Sequence, residues 1–99
     1  MFLARVKGSI WSTRKEETLR GFKFLVVQPI TVIYSEDDEA KIVEQGNTIV
    51  AADKIGAGET EIVMVTSGSS SRQGLDDKDI PLDALVVGIV DKETFESQY

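Results

Sequence analysis

Cysteine and histidine are both missing from this 99-residue chain. Without cysteine there is no disulfide, no thiolate nucleophile and no thiolate metal ligand. Without histidine the commonest general base and the commonest metal-binding side chain are gone as well. Long apolar runs are lacking too. None approaches the roughly 20 residues a helix needs to span a bilayer. The stretch MFLARVKGSIW carries charge at Arg5 and Lys7 and has no apolar h-region of a secretory signal, so a cytoplasmic location is expected. Positive charge is in short supply, with 11 Lys and Arg against 17 Asp and Glu and a net charge of −6. Nucleic acid and anionic membrane both call for clustered Lys and Arg, so neither is an expected partner. An acidic surface mainly keeps a soluble protein dispersed.

What is present reads as one domain over 1–99. A domain of this size buries roughly 60–70% of its unfolded surface and has little stability to spare. Residues 1–11 alternate: Phe2, Ala4 and Val6 point one way, Leu3, Arg5 and Lys7 the other, which is the period of a half-buried strand. Gly8 interrupts it and marks a bulge or bend. Ser12 to Gly21 is a polar loop. Phe22 to Tyr34 is rich in β-branched and aromatic residues and reads as a strand, with Pro29 at an edge or bulge because it cannot donate to a ladder. SEDDEAKIVEQGN is ambiguous. Ser35 could cap a short helix that Gly46 stops, but so few turns make a marginal helix, and a hairpin arm over 34–47 is favoured. Thr48–Asp53, Glu61–Ser67 and Leu85–Asp91 are further strands, Gly68–Asp79 is a loop, and 92–99 is a polar tail. Five short strands with short helical turns predict a mainly β chain, a small five-stranded barrel or sandwich.

Two of these strands, FLVV (Phe24–Val27) and LVVGIV (Leu85–Val90), are apolar on both faces. A barrel covers one face with its core and leaves the other to water. No amphipathic helix is on offer as a cover, so a neighbouring subunit or a folded-back arm must supply it. Val87→Asp should therefore abolish either folding or assembly.

Few motifs carry chemistry. In DKIGAGETE, Gly56-Ala57-Gly58 lacks the third glycine and the following helix of a dinucleotide fingerprint, and acids sit where an anion would bind. A turn between strands is the better reading. Asp76, Asp77 and Asp79 lack the glycine and terminal glutamate of a calcium loop. Ser69, Ser70 and Ser71 have no histidine with which to form a triad. Oligonucleotide-binding barrels use a basic groove and stacking aromatics, whereas Phe22 and Phe24 belong to an apolar strand. No catalytic, cofactor or metal residue is assigned.

Four stretches, in order, resemble the EutN/CcmL family of pentameric microcompartment vertex proteins. They are ARVKGSIWSTRKEETLRGFKFLVVQP, VAADKIGAGETE, VTSGSSSR (with Ser71 where the family usually has alanine) and PLDALVVGIVD. The segment 34–47 is longer than usual for the family. The resemblance implies an OB-like barrel assembled as a cyclic homopentamer, a structural shell protein and not an enzyme. Its partners would be its own copies and the hexameric shell proteins of a bacterial microcompartment. It also implies that Gly56, Ala57, Gly58 and Glu59, with Ser67, Gly68, Ser69, Ser70 and Arg72, build loops at the fivefold axis or subunit boundary. Arg72 is expected to pair there with Glu59 or Glu61 of a neighbour. The alternatives are a small soluble ligand-binding barrel that homo-oligomerises, and a hydrolase with a carboxylate pair.

Overall fold

The computed structural model describes residues 1–10, 21–68, 83–91 and 94. The loop expected over 12–21, that over 68–79 and the tail beyond Asp91 fall largely outside them. The described residues form six strands: β1 (Phe2–Ile10), β2 (Lys23–Tyr34), β3 (Ala40–Glu44), β4 (Ile49–Asp53), β5 (Ile62–Ser67) and β6 (Ala84–Val90). The expectation of five strands is corrected to six. The pairings run β1-β5-β6-β4-β2 and return to β1, while β3 is added to β2 outside this circuit. All contacts are antiparallel except the short parallel seam at Ala52 and Leu85 between β4 and β6.

The alternation seen in the sequence decides what is inside. Ala4 and Val6 of β1, Leu25 and Val27 of β2, Ala51 of β4, Val63 and Val65 of β5, and Ala84 and Val86 of β6 make one buried cluster. Alanine alternates with valine and leucine around a closed circuit too narrow for large side chains everywhere. At β1 the register slips between Val6 and Gly8, so the bulge falls where the glycine broke the pattern.

The doubly apolar strands are covered in part by their own chain. Phe24 packs outside the circuit with Phe22, Ala52 and Leu85. A third cluster joins Ile30, Ala40 and Ile62 with Leu3, Val32, Ile42 and Val90, so the β2–β3 hairpin lays its apolar face on the outside of the sheet. Among the described strand residues, Ile10 of β1, Ile33 and Tyr34 of β2, Val50 of β4 at 53%, and Val87 and Ile89 of β6 at 38% and 36% stay exposed.

β2 is long enough to serve two partners on one edge. Lys23–Val27 pair with β4 and Ile30–Tyr34 with β3. Pro29 sits at the changeover. Its carbonyl accepts from the Gln45 N–H at 3.0 Å, so its missing N–H would have faced the same gap, where no ladder bond is needed. Gln28 closes that gap. Its buried Nε2 lies 3.1, 3.2 and 3.0 Å from the carbonyls of Pro29, Gln45 and Gly46. Gln28→Leu keeps the bulk but leaves the Gln45–Gly46 turn without its donor. The expected loss is about 1–2 kcal/mol, read by thermal unfolding at matched protein concentration.

In the hairpin turn the Ser35 N–H donates to the Glu39 carbonyl and the Asp38 N–H to that of Ser35, both at 3.0 Å. Asp38 takes a left-handed φ of 62°, which aspartate tolerates better than most residues. The acids that resemble a helix start are the tip of a turn.

Candidate functional site: the Asp53–Glu61 loop and the ends of β5

Asp53 ends β4 opposite Lys23 of β2 and is 1% exposed. Its carboxylate organises the loop that follows. Oδ1 accepts from the Ile55 N–H at 2.8 Å, and Oδ2 from Gly56 at 3.1 Å and Ala57 at 2.8 Å. Gly56 has a φ of 102°, a conformation side chains resist, and this lets three successive amides converge on one carboxylate. The next amide, Gly58 N–H, donates to Glu61 Oε1 at 2.7 Å. The amides from Ile55 to Gly58 are thus all satisfied by the chain's own acids. A phosphate would have to displace a buried carboxylate that cannot leave, which is the physical reason this Gly-Ala-Gly is no anion cradle.

The loop is fastened to its surroundings at several points. The Lys23 Nζ donates to the Ala57 carbonyl at 3.2 Å. Thr60 N–H donates to the Val6 carbonyl and Val6 N–H to that of Glu61, each at 2.9 Å. Lys54 lies over the Phe22 ring, 4.7 Å from its centroid. The Ala57 side chain is fully buried in the main core, so its small size answers to its own chain. The loop turns Ile55, Gly56 and Glu59 outward.

Ser67 and Gly68 lie at the other end of β5. Ser67 pairs with Ala84, and the Gly68 N–H donates to the Asp83 carbonyl at 2.8 Å. Gly58 and Glu61 exchange bonds at the start of the same strand. Five residues of strand, Ile62 to Thr66, lie between Glu61 and Ser67 and separate the two groups by roughly 20 Å. Among the described residues, the two stretches expected to form boundary loops thus lie near opposite ends of β5. Ser69, Ser70 and Arg72 lie outside the described residues. Of the two acids expected to meet Arg72, Glu61 is engaged with Gly58 and Glu59 is exposed. Sequence reasoning missed the role of Asp53. The signal was available, since an aspartate two to four residues before a glycine turn is placed to accept its amides.

These features define a small, mainly β domain. Its loop amides are self-satisfied, and it leaves uncharged strand surface outside. The comparisons agree with that class. The family model described as "Ethanolamine utilisation protein EutN/carboxysome" matches residues 1–91. The bacterial microcompartment shell vertex protein GrpN of Rhodospirillum rubrum (strain F11) is 44% identical over 91 residues, covering 92% of this chain and 93% of that one. The carboxysome shell vertex protein CcmL of Thermosynechococcus vestitus is 45% identical over 91 residues, 92% and 84% of the two chains. Among solved structures, the GrpN pentameric microcompartment shell protein from Rhodospirillum rubrum superposes with a TM-score of 0.70 at 43% identity, over 92% and 94% of the chains. An ethanolamine utilization protein EutN gives 0.75 at 37%, over 92% and 86%. The chain belongs to the EutN/CcmL family.

Proposed function

We propose that this chain is a structural subunit that forms a homopentamer and closes the vertices of a bacterial microcompartment shell in the cytoplasm. The observation that carries the reading is likeness over nine-tenths of the chain to proteins named as shell vertex proteins, one of them solved as a pentamer. The closed strand circuit supports a small OB-like barrel as the unit that repeats around the axis. A flat sheet of hexameric shell proteins cannot close into a polyhedron, and a fivefold unit at each corner supplies the missing curvature. Such a role needs packing surface and no reactive group. A ligand-binding barrel has no comparable support.

The two groups at the ends of β5 fit a ring. A cyclic contact is head-to-tail and uses two unlike patches on each subunit. Gly56–Glu59 and Ser67–Arg72 would belong to separate stretches of that boundary. Gly58 favours this, because its φ is outside the left-handed region and a Cβ there would make only an ordinary 3.5 Å contact with Glu61. A crowding neighbour would account for a glycine that the described residues of its own chain do not require.

Sedimentation velocity over a series of concentrations tests the reading. The expected particle has about five times the 10.9 kDa mass of the chain. A folded single chain persisting at high concentration would overturn it.

A further inference from the structure

The strand circuit is closed unevenly. Among the described residues, β1 follows β2 from Leu3 to Ile10 and β5 from Phe2 to Arg5. β2 follows β4 from Lys23 to Val27, and β5 follows β6 from Ile62 to Ser67. β4 meets β6 at one position, Ala52 opposite Leu85. Beyond Leu85, β6 runs on along β5 to Val90 with no further partner on β4. The seam is also parallel, the weaker pairing per residue.

Side chains hold what the ladder does not. Inside the circuit the seam brings together Ala51 of β4 with Ala84 and Val86 of β6, and the two alanines bury little apolar surface. Outside, Phe24, Ala52 and Leu85 form one row across β2, β4 and β6. Ala52 is small enough for its larger neighbours to meet above it, and Phe22, Phe24 and Leu85 pack together with it. Lys54 then covers the Phe22 ring. We propose that the β4–β6 seam is the opening point of the circuit, with Phe22, Phe24 and Leu85 as its latch. Release of the latch parts β4 from β6 while the other four seams of the circuit stay paired, a local opening far short of unfolding. Asp53 ends β4 and holds the Ile55, Gly56 and Ala57 amides, so that part of the loop travels with β4 and draws Ala57 from the core. Thr60 and Glu61, bonded to Val6 of β1, stay behind as the fixed side of the hinge. The inference concerns motion within one chain and does not rest on the pentameric reading.

The chain has no cysteine, so single thiols can report the motion. Ala4 and Ala51 are both 0% exposed and belong to the same core. Ala4 is paired on both sides, with Pro29 and Val63, whereas Ala51 is paired with Leu25 beside the short seam. Ala4→Cys and Ala51→Cys are each labelled with excess DTNB at one protein concentration, over a urea series below the unfolding transition. Each rate is compared with the rate that the variant's own global unfolding permits. Ala51→Cys is expected to react at least tenfold faster than that limit, with little dependence on urea, while Ala4→Cys keeps to it. Adding Leu85→Val should speed Ala51→Cys beyond the change in its global limit. Ala51→Cys reacting only through global unfolding would overturn the proposal, and so would Ala4→Cys reacting as fast as Ala51→Cys. Should Ala51→Cys not fold, hydrogen exchange of the wild-type chain decides. Amides bonded across the β4–β6 seam should then be less protected than those of Ala4–Val6, and equal protection would overturn the proposal.

Discussion

Replacing Asp53 with asparagine is expected to cost about 3 kcal/mol of stability, equivalent to a melting temperature lower by roughly 10–20 °C for a domain of this size. The reason is the number of donors. Three backbone amides converge on two carboxylate oxygens that are 1% exposed. Asparagine offers one oxygen and turns an amino group, itself a donor, toward at least one of those N–H groups. One orphaned buried amide alone costs about 1–3 kcal/mol, and the surviving bonds lose their charge assistance. The substitution also removes one negative charge from a chain at −6, which on its own relieves repulsion and works in the opposite direction. A large net loss would therefore isolate the hydrogen-bond effect. Thermal unfolding at matched concentration checks it, since any assembly makes the midpoint depend on concentration. Asp53→Asn melting within a degree or two of the wild type would show that water or a rearranged loop satisfies these amides. Because Ala57 both donates its N–H to this carboxylate and packs in the core, the loss should propagate beyond the loop.

Much of the fold is legible in the chain because burial follows alternation. Phe2, Ala4 and Val6, or Leu25 and Val27, announce their common face by spacing alone, and they do pack on the inside. β3 is the strand least visible in the sequence. Its five residues follow a run of four acids that imitates a helix start, and only the left-handed Asp38 turns that run into a hairpin tip. A side chain's tolerance of positive φ is a weak signal, easily outweighed by a capping pattern. The order of the strands is not legible at all. Nothing local says that β4 and β6 meet in parallel at Ala52 and Leu85 to close the circuit, because that seam joins residues far apart in the chain.

The candidate site was legible in its outline but not in its working parts. Acids beside Gly56 and Gly58 argue against a bound anion from the sequence. The structure supplies the stronger reason, that those amides already hold the carboxylates of Asp53 and Glu61. Gln28 gave no signal, since a lone glutamine in a strand reads as an outward polar residue until the gap between β3 and β4 is seen. The doubly apolar runs were read as more exposed than they are. An aromatic pair two residues apart, Phe22 and Phe24, packs with Leu85 and covers part of both runs from within.

What that cover leaves open sets up the second large effect. Val87→Asp is expected to leave the chain folded and to abolish its assembly. The sequence leaves folding and assembly as alternatives; the structure separates them. Val87 is the extra residue of β6 where the register with β5 slips between Met64 and Val65, and it is 38% exposed in the single chain. An aspartate there remains hydrated in a monomer, so the core around Val86 should be undisturbed. Covered by a neighbouring copy, the same aspartate would be an unpaired charge in an apolar contact. That penalty is about 3 kcal/mol or more, which corresponds to roughly a hundredfold weaker association per contact. In a closed ring the penalty recurs at every boundary, so the transition from ring to single chains should be steep. The measurements are circular dichroism for the fold and sedimentation velocity for the mass. Folded single chains are expected where the wild type forms the larger particle. An assembled Val87→Asp particle at the wild-type concentration would mean that Val87 of β6 meets water in the ring.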